Sequence, residues 1–315
     1  MNNLLRLVDC TPEEITQILD LADQLKYESR HGIAHTRLSG KSLGLIFHTA
    51  STRTRVSFET GIYQLGGQSQ YLSADDMQIF NGEPVQDTAR TLSRYLSGVV
   101  IRTRRQQELE AFARYSTVPI INGMTDLAHP CQVLADLMTI REKYGVLNGL
   151  NAAYVGSGNN VCNSFIVGAL KMGMKVRVAT PPGYGPDNIA KDFAKGNPDC
   201  EYSYSPTEAV KDADVVVTGS LLPPGEKAST VQMQKVFRGF TVSEHMLSAA
   251  KPDVLLLHSL PANRGFEITE ETFEKHAEEI FEEAENRLHV QKAAMVLLMG
   301  RGAGRIEPMK KEKFE

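Results

Sequence analysis

Short apolar runs of strand length alternate with amphipathic runs of helical spacing along most of the chain, and this alternation most narrowly restricts what it can fold into. Strands that each return through a helix pair in parallel, so the expected class is α/β, with parallel sheets flanked by helices. Residues 41–48, 98–102 and 118–122 read as strands of a first series. Residues 151–156, 176–179, 213–217 and 253–258 form a second. With 315 residues there is material for two cores. The series divide the chain into residues 1–137, 138–285 and a terminal segment, 286–315. In that last part a helix from Ala284 to about Met299 is expected to pack back across the first half, ahead of a loose tail. No fixed-period repeat or low-complexity tract interrupts the pattern.

Composition removes several function classes. A net charge of −4 gives no general attraction for nucleic acid or acidic membranes, so a bound anion must be held by local clusters. The apolar stretches are strand-sized, and the first residues lack a signal-peptide pattern, so a cytoplasmic protein with no membrane partner is expected. Cys10, Cys131, Cys162 and Cys200 stand far apart with no Cys-x-x-Cys pair, which argues for reduced thiols; no metal-ligand spacing and no cofactor are expected.

Residues 51–55, Ser-Thr-Arg-Thr-Arg, follow a strand-like run and open a helix-like one. Helix N-termini present unpaired N–H groups and the positive end of the dipole, so hydroxyls and guanidinium forks there form an anion cradle, with phosphate as the expected guest. The two arginines, Arg53 and Arg55, are expected to converge on it. Ligands of open parallel sheets bind beyond the carboxyl ends of the strands. Arg102, the His129-Pro130-Cys131-Gln132 segment and the His258-Ser259-Leu260-Pro261 segment all fall at such ends.

Taken with Gly82-Glu83, residues 119–123, Ala135-Asp136-Leu137, Gly158-Asn159-Asn160, Arg264-Gly265-Phe266-Glu267 and Ala284-Glu285-Asn286-Arg287, these segments resemble the aspartate/ornithine carbamoyltransferase family, on its ornithine side. The resemblance runs in family order from about residue 8 to residue 299. It implies a carbamoyltransferase with a carbamoyl phosphate site between two domains. Ser51, Thr52, Arg53 and Thr54 would hold the phosphate. Arg102, His129, Gln132 and Arg287 would reach the carbamoyl group or its bridging oxygen, and the Leu260 carbonyl would accept from the carbamoyl NH2. Gln78 would cross into a neighbouring subunit's site, which implies a homotrimer with shared active sites. The chemistry suits these residue types, because moving a carbamoyl group from phosphate to an amine builds negative charge on the carbonyl oxygen and the departing phosphate.

The acceptor side departs from the pattern. Where ornithine-type relatives usually carry Asp-x-Trp-x-Ser-Met-Gly, residues 219–225 read Gly-Ser-Leu-Leu-Pro-Pro-Gly, so Gly219, Pro223 and Pro224 replace Asp, Ser and Met. Ser259 stands for the usual Cys, whereas Asn160 is retained. Together with Leu260 these are the expected acceptor-side residues. Ornithine is the default acceptor and is expected to bind weakly; another small amine or amide acceptor, or a binding-only family member, are the alternatives. A nicotinamide-binding reading of residues 156–160 fails at Val161, where the third Gly of the fingerprint would stand.

Overall fold

The computed structural model describes residues 1–73, 77, 78, 82–221 and 231–300. In chain order the elements of the first half are α1 (Pro12–Arg30), β1 (Ser42–Phe47), α2 (Thr52–Gln64), β2 (Gln68–Ser73), α3 (Val85–Tyr95), β3 (Gly98–Arg102), α4 (Gln106–Tyr115), β4 (Ile120–Met124) and α5 (Pro130–Tyr144). The second half runs β5 (Asn151–Val155), α6 (Asn160–Lys171), β6 (Lys175–Ala179), α7 (Asn188–Ala194), β7 (Cys200–Ser203), α8 (Pro206–Val210), β8 (Val215–Thr218), α9 (Val231–Val236), α10 (Glu244–Leu247), β9 (Leu255–His258), α11 (Glu270–Lys275) and α12 (Ala277–Met299).

Two wholly parallel sheets result, in the orders β2-β1-β3-β4 and β7-β6-β5-β8-β9, as the strand–helix alternation predicts. Each order reverses once. In the first sheet the chain leaves β1 for one side and returns to the other as β3; in the second it does the same at β5 and β8. Such reversals open a crevice at the carboxyl ends of the flanking strands, where a ligand can reach between the diverging helices. The segments after β1, β3, β5 and β8 are among those that the sequence marks as chemically loaded; the others follow β4 and β9.

Helix α12 joins the halves. It begins at Ala277, seven residues before its expected start, because the acidic run Glu278, Glu279, Glu282 and Glu283 continues the helix rather than preceding it. The helix packs on α1, α2, α5 and β9. Close passage to α2 depends on Gly61, where a Cβ would lie 3.0 Å from Met295 Cε and 3.2 Å from Lys292 Cγ. The buried Lys292 ammonium donates to Ser29 on α1 at 2.7 Å and to Gln64 on α2 at 3.0 Å. One hydrophobic cluster therefore runs from Leu43 and Val100 in the first sheet through Leu134 and Val290 to Val178 and Leu257 in the second.

The strands missed by sequence reading are β2 and β7, each at one end of its sheet. Both are polar and only partly buried, Gln-Ser-Gln-Tyr-Leu-Ser and Cys-Glu-Tyr-Ser, whereas β4 and β9, at the opposite ends, are buried and apolar. Helix α1 begins as expected, with Thr11 accepting from the Glu14 N–H and Glu14 accepting from the Thr11 N–H in a reciprocal capping box. Among the described residues no helix is long and apolar enough to cross a membrane.

Candidate active site

Ser51 caps α2, its hydroxyl accepting from the Thr54 N–H at 3.3 Å. Thr52 follows at the exposed first helical position, and Arg53 and Thr54 turn inward. Arg55 does not join them, contrary to the expected convergence: its Nε pairs with Glu59 at 3.0 Å and its guanidinium lies 3.7 Å from the centre of the Tyr71 ring. Positions two apart on a helix point to opposite sides, so only one arginine of the segment can enter the crevice.

Three guanidinium groups and one imidazole meet above the carboxyl ends of β1, β3 and β4. Arg102, the last residue of β3, reaches Thr49 through Nε at 3.3 Å. Arg287 arrives from α12 and donates through Nη2 to Thr54 Oγ1 at 2.8 Å. His129 sits at the start of α5, and its N–H donates to Ser164 Oγ on α6 at 2.9 Å. Burial, then repulsion from Arg287 and Arg53, lowers Arg102 to about 10. Burial and the three arginines hold His129 well below the ordinary histidine range, so its ring is neutral at pH 7. Like charges crowded in this way lose stability unless an anion joins them. The Arg53 Nε, Arg287 Nε, His129 Nδ1 and Gln132 Oε1 atoms are buried with no hydrogen-bond partner among the described residues. Such atoms are costly unless a ligand meets them.

Gln132, one turn into α5, donates both amide hydrogens elsewhere, to Asp136 Oδ1 at 2.9 Å and to Glu283 Oε1 at 2.6 Å. Its carbonyl oxygen is left as an acceptor. The other carboxylate oxygen of Glu283 accepts from the His258 N–H at 2.8 Å, at the end of β9. Beyond it, Leu260 holds a left-handed φ of 46°, with its N–H donated to His258 Nδ1 at 2.9 Å. That bond places the imidazole proton on Nε2, 3.4 Å from Glu267 Oε1.

The residues expected on the acceptor side lie after β5, β8 and β9. Asn160 opens α6 and donates its amide to the Thr125 carbonyl at 2.5 Å, tying the second half to the turn after β4. Asn163 does the same to Leu127 at 3.0 Å. The β5–α6 turn passes so close to the segment after β6 that a Cβ on Gly158 would stand 2.1 Å from the Gly185 carbonyl carbon. Gly219 is buried against Ser259, whose Oγ would be 2.6 Å from a Cβ there. Pro223 and Pro224 lie outside the described residues. Gln78 is on the surface, and its carbonyl accepts from the Glu83 N–H at 3.1 Å. Sequence reading missed the Asp136–Glu283 carboxyl pair beneath Gln132: acids on amphipathic helices read as solvent-facing unless their burial is known.

Two parallel-sheet halves carry three arginines and a neutral histidine crowded above the carboxyl ends of β1, β3 and β4, an arrangement suited to holding an anion. Residues 2–142 match the profile of the aspartate/ornithine carbamoyltransferase carbamoyl-P binding domain, and residues 148–298 match that family's Asp/Orn binding domain. The ornithine carbamoyltransferase of Carboxydothermus hydrogenoformans is 48% identical over 303 residues, 95% of this chain and 97% of that protein. That of Thermococcus kodakarensis is 45% identical over 95% of this chain and 96% of its own length. Among solved structures, ornithine carbamoyltransferase from Pyrococcus furiosus superposes with a TM-score of 0.91 at 44% identity, covering 95% of this chain and 97% of that one. This chain belongs to the aspartate/ornithine carbamoyltransferase family.

Proposed function

We propose that this protein transfers the carbamoyl group of carbamoyl phosphate to the side-chain amine of ornithine, giving citrulline and phosphate, within arginine metabolism. The observation that carries the reading is the convergence of Arg53, Arg102, Arg287 and a neutral His129 on the N-terminus of α2, with Arg53 Nε, Arg287 Nε and His129 Nδ1 unpartnered among the described residues. Ser51, Thr52, Arg53 and Thr54 hold the phosphate. Arg102 and His129 donate to the carbonyl oxygen, where charge accumulates as the amine attacks, and each such donor contributes roughly 10²–10³ in rate. Being neutral, His129 keeps one ring N–H as a donor without adding to the charge of the three arginines. Gln132 Oε1 and the Leu260 carbonyl accept from the carbamoyl NH2 and fix its plane. Arg287 bridges phosphate and leaving oxygen.

Residues 1–137 supply the donor half and residues 138–285 the acceptor half, with Asn160, Gly219, Pro223, Pro224, Ser259 and Leu260 around the amine substrate. Ornithine attacks as its free base, a minority species near neutral pH because alkylamines titrate at about 10.4. The departing phosphate takes the released proton, so atoms and charge balance without a further base. We place the protein in the cytoplasm as a homotrimer in which Gln78 completes a neighbour's site. The direct test is incubation with carbamoyl phosphate and ornithine. Citrulline and phosphate released in equal amounts support the reading. Phosphate release without citrulline, or with faster carbamoylation of another amine in a panel, would overturn the assignment of ornithine.

A further inference from the structure

We propose that Asp136 and Glu283 are a positioning pair: together they fix the rotation of the Gln132 amide, and Glu283 alone joins that amide to the end of β9 that carries Leu260. The inference rests on the donor-site reading above, and it assigns roles to two residues that touch no substrate.

The geometry is a chain of hydrogen bonds with one acceptor at its centre. Gln132 Nε2 gives one hydrogen to Asp136 Oδ1 at 2.9 Å and the other to Glu283 Oε1 at 2.6 Å. A primary amide held by both hydrogens cannot flip, so Oε1 is committed to the crevice. Glu283 Oε2 takes the His258 N–H at 2.8 Å, and His258 Nδ1 in turn takes the Leu260 N–H at 2.9 Å. The two acceptors proposed for the carbamoyl NH2 are thus referenced to one carboxylate, although Gln132 lies on α5 and Leu260 after β9. Glu283, on α12, and Asp136, on α5, are 1% exposed.

Two carboxyl groups hydrogen-bonded to each other at such depth do not both ionise. Burial raises both above the ordinary carboxylate range, and their proximity raises Glu283 further, so the pair retains a proton near neutral pH. Arg287, also on α12, is the cation facing the pair, and the Tyr154 hydroxyl of β5 faces Asp136. The shared hydrogen bond pushes Glu283 up and Asp136 down, but Glu283 accepts two N–H bonds that stabilise its charge whereas, among the described residues, Asp136 Oδ2 has no donor, so we place the retained proton on Asp136. Asp136 then acts as donor to Glu283 and acceptor from Gln132, which is the hydrogen-bonding capacity of asparagine.

This asymmetry supplies the test. D136N reproduces the protonated state and is expected to keep kcat within about threefold of the unaltered protein, since the amide orientation is preserved. E283Q has the same shape but only one acceptor oxygen for two donors. Either Gln132 turns or the His258 N–H is orphaned, and kcat is expected to fall at least about tenfold, the scale of loss for a reacting group displaced by a fraction of an ångström. Inhibition by inorganic phosphate, which reads the cradle at residues 51–54, is expected to be unchanged in both variants. Thermal unfolding is recorded for each. Equal kcat for E283Q and the unaltered protein, or equal losses in both variants that track their unfolding temperatures, would overturn the proposal. If E283Q does not fold, D136L replaces it: lower kcat than D136N with unchanged phosphate inhibition supports positioning, and equality of the two overturns it. An unaltered protein with neither turnover nor phosphate inhibition would instead refute the donor-site reading.

Discussion

At the scale of single residues, Arg53 has the clearest expected effect. Its side chain is half-buried, and its Nε finds no acceptor among the described residues, so its removal costs no hydrogen bond at Nε there. Arg53→Ala is expected to lower kcat/KM by at least about 10²–10³ with no fall in unfolding temperature, checked by citrulline formation and calorimetry. A second prediction concerns His289, which burial and then the charges of Lys292, Lys26 and Arg30 lower to about 3. Between that value and roughly 6.5 the unfolded chain binds a proton that the native chain refuses, so stability rises with pH across this window and is flat above it. His289→Gln is expected to recover on the order of 2 kcal/mol at pH 4.5 relative to pH 7.5, read from urea midpoints. Gly219 bears on the acceptor: with no carboxylate at that position and Ser259 Oγ filling the space, the Michaelis constant for ornithine is expected above the sub-millimolar range. Steady-state kinetics decide the point.

At the scale of elements, the switch-point segments show what a sequence does and does not disclose. The sequence placed Ser51 to Thr54 at the N-terminus of a helix that follows a strand, and Arg102 and His129 at strand ends, and that is where they lie. The direction of Arg55 was not legible, since a linear string hides the rotation of about 100° per residue that turns it away from Arg53. Nor was the Asp136–Glu283 pair, because Ala-Asp-Leu on α5 and Glu-Glu-Ala on α12 name no partner until the two helices cross. The partly buried strands β2 and β7 lack the apolar signal by which buried strands, central β5 and β8 and edge β4 and β9 alike, announce themselves. The α1 capping box, by contrast, could be read residue by residue. Thr11→Ala is expected to cost about 1 kcal/mol of stability and leave kcat unchanged, which separates local helix energetics from chemistry far away. Denaturant midpoints and turnover of the same preparation check both halves of that statement.

At the scale of the whole molecule, the proposed trimer predicts complementation. Mixing Arg53→Ala subunits with Gln78→Ala subunits creates some sites that draw both residues intact, so activity is expected to reappear from two nearly inactive parents; inactive mixtures that have demonstrably exchanged subunits would count against a shared site. The Arg287–Thr54 bond joins residues 233 positions apart, through a helix laid across both halves. Its consequence lies in the order of synthesis. At roughly 5–20 residues per second, about 10 to 50 s separate the emergence of Thr54 from the arrival of Arg287, its partner. If the proposed phosphate cradle is right, a nascent chain carries residues 51–54 long before it can complete that site, and ligand affinity would signal that the last helix has docked.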